Sequence, residues 1–187
     1  MIDVENKEHG ARIAQLVRRL DEAAERLATR LERAGPKAEQ ASTGWTPAQV
    51  GVHVALVNDN FTTVFDGTNR AVGPAPADFQ ERDWSVIVSG IPTRFEAPKR
   101  FVPPDGVSAI EAAEMVRTSA ARLREAIATL PPERGRCCLT NPIVGTISVY
   151  QAGDWAIAHI IRHNQQAKRL LGQRSAASDQ RSAISDQ

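Results

Sequence analysis

Apolar residues recur every three to four positions along four stretches of the chain, and each stretch predicts an amphipathic helix. In the first, from about Lys7 to Ala34, Ile13, Leu16, Val17, Leu20, Ala24, Leu27 and Leu31 share one face, and Gly35-Pro36 predicts its end. The charged residues between them form a solvated face. The second opens on Thr46-Pro47-Ala48-Gln49 and runs on through Phe61 and Phe65. Thr46 suits the N-cap, Pro47 the first helical position, and Gln49 completes a capping box. Val50, His53, Val57, Asn60, Phe61 and Val64 share a face of this helix. Gly51 weakens it by ~1 kcal/mol against alanine, or else allows a neighbouring helix or ligand to come close.

The third helix opens at Ser108, with Glu111 closing a second capping box, and stops at Pro131-Pro132. Its core stripe is Ala113, Val116, Ala120, Leu123, Ile127 and Leu130. The fourth starts near Ser148 and is expected to end before Gly172, a natural residue to follow a helix. It carries Ala152, Trp155, Ala156, His159, His163, Ala167 and Leu170 on one face.

Between the second and third helices the period breaks. Prolines at 74, 76, 92, 98, 103 and 104 rule out a long regular helix over 67–106. This is a long crossover. Phe79, Trp84, Val86, Ile87, Val88 and Ile91 predict that part of it turns helical and packs on the bundle, where it would wall a pocket. A short extended link is expected over 137–147. The tail repeats one heptapeptide almost unchanged, Arg-Ser-Ala-Ala-Ser-Asp-Gln then Arg-Ser-Ala-Ile-Ser-Asp-Gln, and its polarity predicts disorder or surface attachment. The fold class is therefore all-α: an antiparallel four-helix bundle with a long crossover between helices two and three. The bundle domain spans 1–173 and the tail 174–187.

The composition adds bounds. A chain of 187 residues, 42% hydrophobic and 24% charged, suits one soluble domain with a sizeable core. A net charge of +1 offers no electrostatic case for nucleic acid or an anionic membrane. No apolar run approaches the ~20 residues that a membrane span needs. The opening residues 1–8 are charged and lack the apolar segment of a signal peptide, so a cytoplasmic location is expected. Cys137 and Cys138 are adjacent, and a disulfide between neighbours would be strained. With no further ligands at a suitable spacing, they read as ordinary reduced cysteines.

The chemistry lies in the histidines. There are four. His9 falls in a polar part of the first helix and is expected in solvent. His53, His159 and His163 fall on core-facing stripes. His159 and His163 stand four apart, so one helix face presents both rings to the same point. Buried imidazoles need partners, and a metal ion is the partner that three can share. The reading requires helices two and four to be neighbours. Three imidazoles without a fourth protein ligand describe an open site, where a bound water or thiol is made more acidic. Zinc, nickel, iron(II) and cobalt all accept imidazole. Asn60, Asn164 and Gln166 are placed to pair the outer ring nitrogens. A di-iron bundle needs Glu-x-x-His on two helices, and this chain has none. A phosphate-binding glycine loop and a Gly-x-Ser-x-Gly elbow are also absent from the sequence. The alternative is a non-enzymatic binding module, with the histidines holding a structural metal or forming a metal-free polar network.

Two blocks resemble a known family. Trp45-Thr46-Pro47 leading to His53 is similar to the opening of the second helix in the DinB-like superfamily, also called YfiT-like metal-dependent hydrolases. Trp155, His159, Arg162, His163 and Gln166 resemble its closing helix. Asn141-Pro142-Ile143-Val144-Gly145 is similar to the link before that helix, with asparagine where the family often has histidine. Length and helix order agree over about 7–172. The resemblance implies a divalent metal, such as zinc, nickel or iron, on His53, His159 and His163, and in many members a homodimer. It also implies a small-molecule substrate and a thiol-dependent transferase, isomerase or hydrolase activity, the metal activating a low-molecular-weight thiol or water.

Overall fold

The computed structural model describes residues 2–41, 44–89, 91, 96–141 and 143–185. Its long helices are α1 (Ile2–Ala34), α2 (Pro47–Asp66), α4 (Ala109–Ala128) and α6 (Val149–Ser185), with short helices α3 (Trp84–Ser89) and α5 (Pro132–Gly135) between them. Both expected capping boxes form. The Thr46 side chain accepts from the Gln49 N–H while Gln49 Oε1 accepts from the Thr46 N–H, and Ser108 and Glu111 do the same for α4. Gly67, at φ +95°, closes α2 in the left-handed region that an L side chain resists.

The four long helices form an all-α bundle in which α1 and α2 each pack on both α4 and α6. Helices two and four of the sequence pattern are thus neighbours. Cross-helix contacts give the directions. Arg117 meets Glu25 while Arg124 meets Asp21, so α1 and α4 are antiparallel. His53 meets His159 while Phe61 meets Trp155, so α2 and α6 are antiparallel too. Gln49 reaches Asp105 and Asn58 reaches Ser119, which makes α2 and α4 parallel neighbours. A chain leaving one helix for a parallel neighbour must travel back the helix length, roughly 30 Å for twenty residues. That is why this connection is long. The core is built from Leu16, Leu20, Leu27 and Leu31 of α1, Val50, Val54 and Phe65 of α2, Val116, Leu123 and Ile127 of α4, and Ile157 and Ile160 of α6.

The crossover is pinned at two points in its first half. Gly73 exchanges two backbone hydrogen bonds with Cys138, at 3.0 and 2.8 Å. The Arg82 carbonyl accepts from Gln151 Nε2 at 2.7 Å. The expected helical turn is α3, which buries Ile87 and leaves Val86 and Val88 in solvent. A 3-10 turn at Lys99–Phe101 then docks against α2.

Three boundaries differ from the sequence reading. α1 starts at Ile2 rather than near Lys7, since no proline or glycine precedes that point to stop it. α6 does not end before Gly172, and its backbone runs on to Ser185. Gly172 lacks the positive φ of a helix-ending glycine, and no proline follows it. The link after α5 is more than extended chain. Cys138–Asn141 (β1) and Gly145–Ser148 (β2) pair antiparallel, with Cys138 opposite Ser148 and Asn141 opposite Gly145. Asn141 Oδ1 accepts from the Ile143 N–H at 2.8 Å, and Gly145 takes φ +75°. Cys137 and Cys138 are free thiols at the foot of this hairpin.

Candidate metal centre

α2 presents His53 about two turns after its cap at Thr46, and α6 presents His159 and His163 one turn apart. Because α2 and α6 are antiparallel neighbours, the three rings converge. One ring nitrogen from each lies within 4.8 Å of the others. The ring centroids of His159 and His163 are 4.3 Å apart, and His53 stands 5.1 and 4.8 Å from them. His53 is 5% exposed.

Hydrogen bonds orient the rings. His53 Nδ1 is 2.8 Å from the carbonyl oxygen of Phe101, in the 3-10 turn of the crossover. A carbonyl only accepts, so Nδ1 carries the proton and the neutral ring turns a bare Nε2 inward. His163 Nδ1 is likewise 2.8 Å from Gln166 Oε1, which leaves the His163 Nε2 bare. His159 Nε2 lies 3.2 Å from His53 Nε2 and has one proton to share at most. A single imidazole N–H cannot pair both inward lone pairs. The His159 Nδ1 is also buried with no hydrogen-bond partner among the described residues. A closed polar network would not leave the inward lone pairs of His53 and His163 competing for one N–H, whereas a metal ion accepts several lone pairs at once; the His159 Nδ1 lacks a partner among the described residues in either case. The donor set fits a divalent ion.

Electrostatics favour the neutral form that a metal needs. Burial lowers the pKa of His53, and the Phe101 carbonyl offsets part of that. Burial holds His159 well below the usual range, helped by His163, His53 and Arg162. His163 is pushed down to about 4, chiefly by burial and then by His53, with Arg162 adding to the fall and the Gln166 hydrogen bond opposing it.

Of the three side chains expected to pair the rings, only Gln166 is seen to do so. Asn164 faces α1 instead and accepts from Arg30 Nε at 2.6 Å, while at Asn60 the backbone carbonyl accepts from the Thr63 hydroxyl. The Phe101 carbonyl has no residue signature, so the sequence could not point to it. Trp45 lies over His53, with centroids 5.0 Å apart, and Trp155 packs on Phe61. His9 is not in open solvent as expected. It is half-buried, with Nδ1 2.7 Å from the Tyr150 hydroxyl, and stands apart from the trio.

The crossover walls the centre through Phe101. Two cavities open elsewhere. One of 230 Å³ lies between Glu39, Gln49 and Asp105. The other is a 640 Å³ groove flanked by Arg30, Arg33 and Leu171. Neither touches a histidine.

A helical bundle with three convergent imidazoles defines a class of candidate metalloprotein. The family model of the DinB superfamily matches residues 7–167, and the chain belongs to that superfamily. No curated protein and no solved structure matches it. No helix among the described residues is long and apolar enough to cross a membrane.

Proposed function

We propose that this protein is a metal-dependent enzyme of the transferase or hydrolase type, with His53, His159 and His163 as the metal ligands. The observation that carries the reading is the pair of inward lone pairs on His53 and His163, which the one remaining imidazole cannot satisfy. A divalent ion held there, zinc, nickel or iron(II), would make a bound low-molecular-weight thiol or water acidic enough to act as a nucleophile near neutral pH. The chain's own residues do the rest. The Phe101 carbonyl and Gln166 fix which nitrogen of His53 and His163 faces inward. Trp45 and the crossover keep water from one side of His53. The substrate would be a small electrophile, and the working form a cytoplasmic homodimer.

The first test is the metal content of protein purified without a histidine tag or chelator, beside His159→Ala. About one divalent ion per chain is expected in the parent, and loss in the variant with far-UV helicity kept. Metal-loaded protein should then accelerate transfer of a small thiol to an electrophile. Metal retained by His159→Ala, or none taken up by the parent when zinc or nickel is added, would overturn the reading.

One observation favours a second reading. The 3.2 Å approach of His53 and His159 is a hydrogen bond that needs no ion. A non-enzymatic module with a histidine core would then melt at the same temperature with or without chelator.

A further inference from the structure

The 640 Å³ groove between α1 and α6 is built like an anion site. Arg26, Arg30 and Arg33 line it from α1, spaced to share one helix face. Two glutamates line it as well, but Arg18, Arg26 and Arg117 hold them. Glu22 pairs with Arg18 at 3.2 Å and with Arg26 at 3.6 Å. Glu25 pairs with Arg117 of α4 at 2.8 Å, which pushes its pKa down to about 2. Among the residues whose side chains are described, which end at Gly172 on α6, no carboxylate pairs with Arg30 or Arg33.

Arg30 is also oriented. Its Nε donates at 2.6 Å to Oδ1 of Asn164, a side chain only 9% exposed. That bond turns the Nε edge of the guanidinium toward α6. Its two terminal nitrogens have no acceptor among the described residues. The fork they form matches the two oxygens of a carboxylate or phosphate. Arg33, one turn further on, is exposed, and the two like charges repel. An oxyanion between them would turn that repulsion into attraction. Leu171 and Ala34 offer an apolar wall beside it in an open groove.

We propose that this groove binds a small molecule carrying an oxyanion, a phosphate or a carboxylate, through Arg30 and Arg33. The site is separate from the histidines and does not depend on their metal.

The test is calorimetric titration of the full chain with phenyl phosphate and with benzoate. At least one should bind at millimolar concentration, more weakly as salt is added, and the preference between them assigns the anionic group. Arg33→Ala should weaken binding about tenfold or more, and Arg30→Lys likewise, because lysine keeps the charge and loses the fork. Arg122→Ala, which breaks an exposed pair with Asp59 on α2, should bind as the parent does. His159→Ala should also bind normally, which separates this site from an anion held at the histidines. Failure of both probes, parent-like binding by Arg33→Ala, or loss of binding in His159→Ala would each overturn the proposal.

Discussion

The Nε2 atoms of His53 and His159 approach to 3.2 Å across 106 residues of sequence. Two facts of topology bring them there. α2 and α6 are antiparallel neighbours, and the crossover returns along the bundle to place the Phe101 carbonyl on the outer nitrogen of His53. The fold thus sets both the position and the tautomer of the ligand. A buried cluster of three neutral imidazoles costs desolvation, and that cost goes unrecovered while lone pairs stay unpaired.

Metal should therefore stabilise the folded chain. An ion that binds the native state alone at one hundred times its Kd adds about 2.7 kcal/mol. Saturating zinc or nickel should raise the Tm of chelator-stripped protein, and His159→Ala should abolish most of the rise. Equal shifts in both proteins would show that the ion binds elsewhere.

Gln166 should matter to the metal without touching it. Its Oε1 holds His163 Nδ1 at 2.8 Å. Gln166→Leu removes that acceptor and frees the ring to turn, which should weaken metal affinity about 10–100-fold. Asn60→Ala should leave affinity unchanged. A competition titration with a chromophoric chelator compares the two, and parent-like affinity in Gln166→Leu would remove its positioning role.

Much of this fold was legible in the sequence because its signals are local. Leu16, Leu20, Leu27 and Leu31 repeat at helical spacing, and Thr46 with Gln49 marks a helix start within four residues. His159 and His163 announce a shared face by the same spacing. What escaped is non-local or carried by backbone. Arg30 and Asn164 meet across 134 residues, and His9 and Tyr150 across 141. The Phe101 carbonyl looks like any other until the crossover is folded. The four-residue strands of the hairpin are too short for alternation to declare itself. Gly172 misled because a glycine ends a helix only when its φ turns positive.

Gly51 tests the closeness of the bundle. A Cβ built there would stand 2.5 Å from Leu31 Cδ1 and 3.4 Å from Ala112 Cβ, where α2 meets α1 and α4. Leu31 and Ala112 are fully buried, so neither has solvent to retreat into. On a free helix Gly→Ala would gain about 1 kcal/mol. Overpacking costs about 1–3 kcal/mol and should win, so Gly51→Ala is expected to unfold at lower denaturant. An unchanged or higher midpoint would mean that the helices shift apart at little cost.

Acid should destabilise the metal-free protein before its carboxylates titrate. In the unfolded chain an imidazole has a pKa near 6.5, whereas folded His163 is held at about 4. Between those values the unfolded chain binds more protons, so stability is full above about 6.5 and falls as pH drops toward 4. His53 and His159, lowered in the same direction, add to the slope. The ion pair of Glu25 fails lower, below about 4.5 and toward about 2, so it overlaps only the acid end of this window. Chelator-stripped parent and His163→Gln should be melted from neutral pH down to about 4. The parent should lose Tm more steeply than the variant between about 6.5 and 4, because glutamine has no proton to take up. Parallel slopes would mean that His163 is not held neutral by burial in the folded chain.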